Sequence, residues 1–359
     1  MGSGMTRLDR YIVRAVLGGV LLVMAVLLSL GGLFLLMGQQ DDIGVGDYTA
    51  WNALTFVVFN LPQQAWALLP IGALIGALLG LGTLARGSEI TVMRAAGLSP
   101  WRLARAVAIA GVLLVGLGAL LGETLAPPLQ QMARQQKAFA KFSDVSFAGS
   151  GDAWVRDGSL IVNVERQTGE GSFGGMMVYE VGADGRLQAM GRAATAAATE
   201  DGAWRLEQYA ETRFEGDRVL GSRAHARTLQ SNVSAAFLGI AATSPGDLPS
   251  ASLWSMIRHL QANGLDAREP TFSFWSRIAR TVAPFFAVLL ALPFVFGSLR
   301  AAGAGARVGV GLMLGIAFFL LQQMIESGAI VYQGNPVLLA WVPTALMALA
   351  GMILIARTR

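Results

Sequence analysis

Few side chains in this sequence are placed to do chemistry, and those few are widely scattered. Glu89 stands between Arg86 and Arg94 in GTLARGSEITVMRAAGLSPW, from Gly82 to Trp101, where a carboxylate flanked by guanidiniums offers a docking charge rather than an acid–base pair. Glu326, one helical turn after Gln322, lies in an apolar run. An ionisable group at membrane depth is costly and faces a bundle interior or water, although this one is also close enough to the end of its run to be interfacial. Arg134, Lys137 and Lys141 fall along neighbouring faces of one predicted helix and suit either a solvated stem or an anionic lipid headgroup. His225 and His259 are isolated from carboxylates and are assigned no chemistry. No G-x-x-x-x-G-K-[ST] loop, G-x-S-x-G elbow or H-E-x-x-H helix occurs, and there is no cysteine. Covalent and hydrolytic catalysis, a bound cofactor and a metal site are therefore not expected, which leaves moving something, holding something or transmitting force.

The elements that must position these groups are membrane spans. Of 359 residues, 54% are hydrophobic and only 14% charged, with a mean hydropathy of +0.53, outside the usual balance of a soluble protein. The basic pI of 9.8 reflects arginines beside apolar runs, which the positive-inside rule explains without invoking nucleic acid. Residues 1–4 read as an appended scar ahead of Met5. The first apolar run has no small-residue cleavage site and is taken as retained.

Span one is Val13 to Met37, with Arg7, Arg10 and Arg14 at its start and Asp41, Asp42 and Asp47 after it, so the N-terminus is placed in the cytoplasm. Span two, about Leu54 to Leu81, is interrupted by Pro62-Gln63-Gln64 and Pro70, which predicts a kinked or partly interfacial outer part. Its Gly72, Gly76 and Gly80 repeat every four residues, a packing seam for a neighbouring helix or subunit. The Gly82–Trp101 stretch then forms a short helix. Ser88 is its N-cap, Glu89 sits in the first turn, and Gly97 closes it in the left-handed conformation before Ser99 and Pro100 open the next. Glu89, Ile90, Met93 and Gly97 share one side. This stretch is either a plain connection or a docking helix for a cytoplasmic partner, and its length and internal caps favour the second.

Span three, about Leu103 to Leu125, leaves the membrane through Glu123 and Pro127-Pro128 into a helical extension from Gln130 to Phe142. From about Ser143 the hydrophobic period becomes two, as in Leu160-Ile161-Val162-Asn163-Val164-Glu165 and Trp204-Arg205-Leu206-Glu207. Turn pairs stand at Asp157-Gly158, Asp184-Gly185, Asp201-Gly202 and Gly216-Asp217, predicting an antiparallel β domain of roughly eight to ten short strands outside the cytoplasm. Ser252 to Asn263 is an amphipathic helix with Leu253, Ile257 and Leu260 on one face and Gly264 as its stop. Spans four (Ile278 to Phe296), five (Val308 to Val331, with Gly311-x-x-x-Gly315) and six (Val337 to Ala356) complete the chain. Short loops assigned inside carry arginine, and the two assigned outside carry none. The expected fold is an α-helical polytopic membrane protein, three spans plus three. Spans one to three occupy 5–142 with the short helix at 88–97; a periplasmic jellyroll-like β domain fills 143–250, a connecting helix 251–276, and spans four to six 277–359.

Five segments carry a resemblance: LDRYI (Leu8–Ile12), ALLGLGTLARGSEITVMRAAG (Ala77–Gly97), GETLAPPLQQMAR (Gly122–Arg134), AATA (Ala194–Ala197) and FVFGSLR (Phe294–Arg300). Together, and in this order, they resemble the LptF/LptG family of lipopolysaccharide export permeases over nearly the whole chain, with WRL, HLQANGLDA and FSFWSRI tilting towards the LptG side. The resemblance implies a heterodimer of LptG and LptF, two copies of the ATPase LptB that bind the ATP, and LptC, which leads on to the periplasmic bridge protein LptA. It implies a coupling helix at about Ser88 to Gly97, made of Arg86, Ser88, Glu89, Ile90, Met93, Arg94 and Gly97, with Glu89 in the ATPase groove. It also implies headgroup contacts at Arg134 and Lys137. One departure stands out: Leu35, Gln39, Gln40, Asp41 and Asp42 occupy the outer end of span one, where the family has lysines, so phosphate contacts are not carried over to those positions.

On this basis the chain is expected to be the membrane subunit of an ABC transporter that takes lipopolysaccharide from the bacterial inner membrane. ATPase closure pushes the coupling helix, spans two and three convey the displacement, spans one and five border a lateral entrance, and Gln322 and Glu326 meet the lipid. Three other readings stay open. One is the paralogous LptF subunit of the same family, another an ABC-linked force transmitter acting on a periplasmic partner; the third, a membrane enzyme, lacks a catalytic constellation.

Overall fold

The computed structural model describes residues 7–141, 153–169, 172–182, 184–199, 203–216, 218–229, 245–296, 303–329 and 334–357. Phe142, the residues 143–152 that open the predicted β domain, the Asp201-Gly202 turn, and Gly297 to Arg300 lie outside them. Six described helical stretches are long and apolar enough to cross a membrane. They are α1 (Arg7–Met37), α2 (Ala50–Arg86), α4 (Pro100–Ala119) with its continuation, α7 (Arg268–Phe296), α8 (Ala304–Ala329) and α9 (Pro336–Arg357). Between α2 and α4 lies the short α3 (Glu89–Ala95). The continuation of α4 is a wide π-helical turn, Leu120–Leu125, followed by α5 (Ala126–Lys141). Pro127 and Pro128 fall just after this turn, and the helix winds on through them without a break.

The chain divides into two compact units, the first gathering the described residues of Met1–Gly38, Val57–Leu129 and Thr271–Arg359. Its centre is α2, whose most apolar window is 72% buried, against 11% for α8. Helical winding in α2 continues through both Pro62 and Pro70, so the predicted interruption does not end the helix; in a bundle, neighbouring helices re-satisfy the freed carbonyls. The glycine seam finds its partner in α1. A Cβ at Gly76 would collide with the Val20 backbone, one at Gly80 with the Ala15 carbonyl, and one at Gly19 with the Gly76 carbonyl. Lipid tails are as apolar as leucine, so close backbone approach rather than hydrophobic burial selects this pairing. On α1, Ile12, Val13, Val16, Val20 and Met24 are buried at helical spacing, while Leu21, Leu22, Val26 and Leu30 stay exposed. Gly311 of α8 rests on Ile75 and Leu78, and Gly315 on Ile71.

The second unit gathers the described residues of Gln39–Phe56 and Gln130–Pro270. Its sheet has six antiparallel strands in the order β1-β2-β3-β4-β5-β6: β1 (Ala153–Asp157), β2 (Leu160–Gly169), β3 (Ser172–Val181), β4 (Leu187–Ala198), β5 (Trp204–Glu215) and β6 (Arg218–Leu229). The inserted all-β region is as expected, but among the described residues the strands are six and longer, up to 12 residues, rather than eight to ten short ones. Gly158, Gly185 and Gly216 take φ of +59°, +76° and +58° at the predicted turns. Val155, Val162, Val164, Phe173, Met176, Val178 and Leu206 form one apolar face, where Phe173 meets Trp204 edge to face at 5.5 Å. Asn163, predicted to face out, is only 3% exposed. In β5 the alternation of Trp204 to Glu207 shifts at Gln208, which takes φ +51° and lets Tyr209 turn inward. Helix α6 (Ser250–Ala262) buries Leu253 and Ile257, and Gly264 follows at φ +65°.

Candidate functional site

The predicted coupling residues sit on and around α3. Ser88 precedes the helix at φ +59° and makes no side-chain cap, so it initiates the turn through backbone geometry, unlike Ser99, whose hydroxyl accepts from the Arg102 amide at 3.2 Å. Gly97 ends the helix at φ +90°, as expected of a left-handed stop. Ile90 is buried and Met93 packs beside it on the apolar core of the first unit. These two anchor the helix, and the exposed side is led by Val92, 66% accessible. Glu89 is half-buried and lies near the Tyr11 phenol of α1. Arg86 is exposed. Arg94 lies with its guanidinium 5.8 Å from the centre of the Phe296 ring and helps line an open groove of about 370 Å³ with Ala85, Ile90, Thr91, Ala95 and Val295.

The residues predicted to meet lipid are already engaged within the chain. Arg134 is paired with Asp247 at 2.5 Å, and Lys137 with Asp42 at 2.5 Å. Lys137 also donates to Gln39 Oε1 at 2.7 Å and lies 5.0 and 5.9 Å from the ring centres of Phe56 and Tyr48. Burial first, and the Asp42 carboxylate second, push the Tyr48 phenol above its ordinary pKa. The acids at the outer end of span one therefore have a physical role: one of them, Asp42, neutralises Lys137. Gln322 and Glu326 are brought together, the amide donating to the carboxylate at 3.3 Å.

Sequence reasoning missed the partners of these groups. Glu326 accepts from Arg280 and, at 3.3 Å, from Ser276 Oγ, both on α7. Arg277, only 3% exposed in its side chain, pairs with Glu123 at 2.7 Å and donates to the Gly122 carbonyl, which the π-helical turn presents. Both guanidiniums lie over the Trp66 ring, at 4.8 and 5.1 Å, and the indole N–H donates to Thr281 Oγ1 at 3.1 Å. Arginines at a span entrance were the available signal; their partners lie too far along the chain to be read from spacing. Asp9, with no exposed surface, is held by Arg102 at 2.7 and 3.2 Å.

The chain matches the family described as lipopolysaccharide export system permease LptF/LptG over residues 10–357. The lipopolysaccharide export system permease protein LptG of Escherichia coli strain K12 is 32% identical over 352 residues, 98% of each chain. LptG of Haemophilus influenzae strain Rd is 29% identical over 353 residues, 98% of this chain and 99% of its own. LptF of Escherichia coli strain K12 is 36% identical over only 106 residues, 29% of this chain and 28% of its own. The likeness to LptG is thus full-length, and that to LptF is confined to less than a third. With its six apolar helices and inserted antiparallel sheet, this chain belongs to the LptF/LptG family of lipopolysaccharide export system permeases.

Proposed function

We propose that this permease is the membrane subunit of an ABC transporter in the bacterial inner membrane, paired with LptF and driven by two copies of LptB, which bind the ATP. Both termini and α3 face the cytoplasm and the sheet faces the periplasm, a topology supported by arginine in the short inner loops and its absence from the two short outer ones. LptC, and through it LptA, receives lipopolysaccharide passed along the apolar face of the sheet.

One observation carries the proposal. α3 folds as a separate helix between two spans, anchored by Ile90 and Met93 and presenting Val92 and part of Glu89 outward. Such a knob receives a push and passes it through its buried side to the core as a rigid body. Arg86 and Arg94 flank the carboxylate at the contact. Arg134 and Lys137 meet headgroup phosphate only by exchanging it for Asp247 and Asp42. In the assembled complex, Glu89→Lys is expected to abolish ATP-driven lipopolysaccharide release or retention of the ATPase on purification; normal values of both would overturn the assignment of α3.

A further inference from the structure

The two halves of α8 are attached by different physics. Its buried residues, Arg307, Gly311 and Gly315, all lie in the inner half, where the two glycines bring the helix onto α2. From Ile316 to Gly328 no residue is buried. In that outer half Glu326 reaches across to α7, accepting from Arg280 and Ser276. An apolar helix face gains little by leaving lipid for protein, whereas separating two ions at membrane depth is costly. Charge therefore ties the outer half to α7, and glycine contact ties the inner half to α2.

The partners of Glu326 are themselves graded. Arg277 is fixed by Glu123, the Gly122 carbonyl and the Trp66 ring, with 3% of its side chain exposed. Arg280 shares the same ring, but it and Glu326 keep 21% and 29% exposure, so both members of this pair reach the surface where they can be exchanged, whereas the buried Arg277 does not. We infer that Arg280 and Glu326 form a latch that closes the outer half of α8 onto α7, and that this half swings about Gly311 and Gly315 when the pair parts. The assembly of Trp66, Arg277 and Glu123 is the fixed post. Glu326 is then a positioning residue of the permease, not a contact for lipid in the closed state. This inference rests on the export function proposed above, together with the resemblance's expectation that spans one and five, here α1 and α8, border the entrance.

The sequence contains no cysteine, so this chain adds no background to the labelling, and the partner chains are used in cysteine-free form. Met324 and Met313, in the outer and inner halves of α8, are 72% and 74% exposed, and Val112 of α4 is 60% exposed. In the assembled complex in lipid nanodiscs, Met324→Cys and Met313→Cys are each paired with Val112→Cys for pulsed electron resonance, on wild-type, Glu326→Gln, Arg280→Gln and Arg280→Lys backgrounds. Either Gln substitution is expected to lengthen or broaden the 324–112 distance by about 5 Å, one helical turn, while the 313–112 distance holds. Arg280→Lys retains the cation and is expected to keep the narrow distribution. An unchanged 324–112 distance in both Gln variants would overturn the latch, and movement of both distances would overturn the pivot. Lipopolysaccharide release by the same samples separates the two levels: a complex that shows the distance response but releases no lipid, even as wild type, refutes the export proposal and leaves the latch standing.

Discussion

Asp9 and Arg102 join the first turn of α1 to the first turn of α4 through two hydrogen bonds and opposite charges. Removing one partner of a buried pair exposes the other to its full desolvation cost, moderated here because Arg102 keeps 26% of its side chain accessible. Asp9→Asn is therefore expected to destabilise the purified permease, read as a lower melting temperature in detergent, and an unchanged melt would show that the pair contributes nothing. This contact illustrates what was legible at the scale of single residues. Gly97, Ser99 and Pro100 act within a few residues of themselves, so their roles could be read directly. Asp9 could not be paired with an arginine 93 positions later, nor Lys137 with Asp42, because spacing along a chain records local geometry only. Ser88 is the local exception: a cap was expected, and a left-handed backbone does the work instead.

At the scale of elements, the four-residue glycine repeat was legible as a seam, and the structure supplies the partner in α1. A side chain on Gly76 has nowhere to go, since it would meet backbone that cannot rotate aside. Gly76→Leu is expected to cost about 3 kcal/mol or more, seen as loss of the folded permease from membranes. Gly116→Ala, whose added Cβ meets nothing within 4 Å, is expected to leave abundance unchanged. Equal effects from the two substitutions would mean that helix propensity rather than contact decides. Six spans were legible because each needs only length and hydropathy. The strand count was less so: turn-forming dipeptides mark reversals, but not how far β4, β5 and β6 run between them. The π-helical turn left no mark at all, as its residues, Leu120 to Leu125, read as ordinary apolar helix.

For the whole molecule, lipid carriage is distinguished from bare force transmission by what touches the sheet. A photoreactive residue at Leu160 or Leu229, both packed at the margin of the apolar face, is expected to give lipopolysaccharide adducts in cells that increase with ATP turnover. The same residue at the exposed His225 is expected to give none, and a transmitter would give none anywhere. The wide turn at Leu120–Leu125 carries one last implication. A π-helical turn is an α-helix with a residue to spare, and the surplus sets the rotation at which Glu123 faces Arg277. Deleting Leu121 would return the turn to ordinary α-helix with the flanking segments still in phase, but would redirect the residues inside it, parting Glu123 from Arg277 while both remain in the sequence. Among related chains, then, a one-position gap in this stretch would signal a different wiring of the membrane interior, invisible to any tally of matching letters.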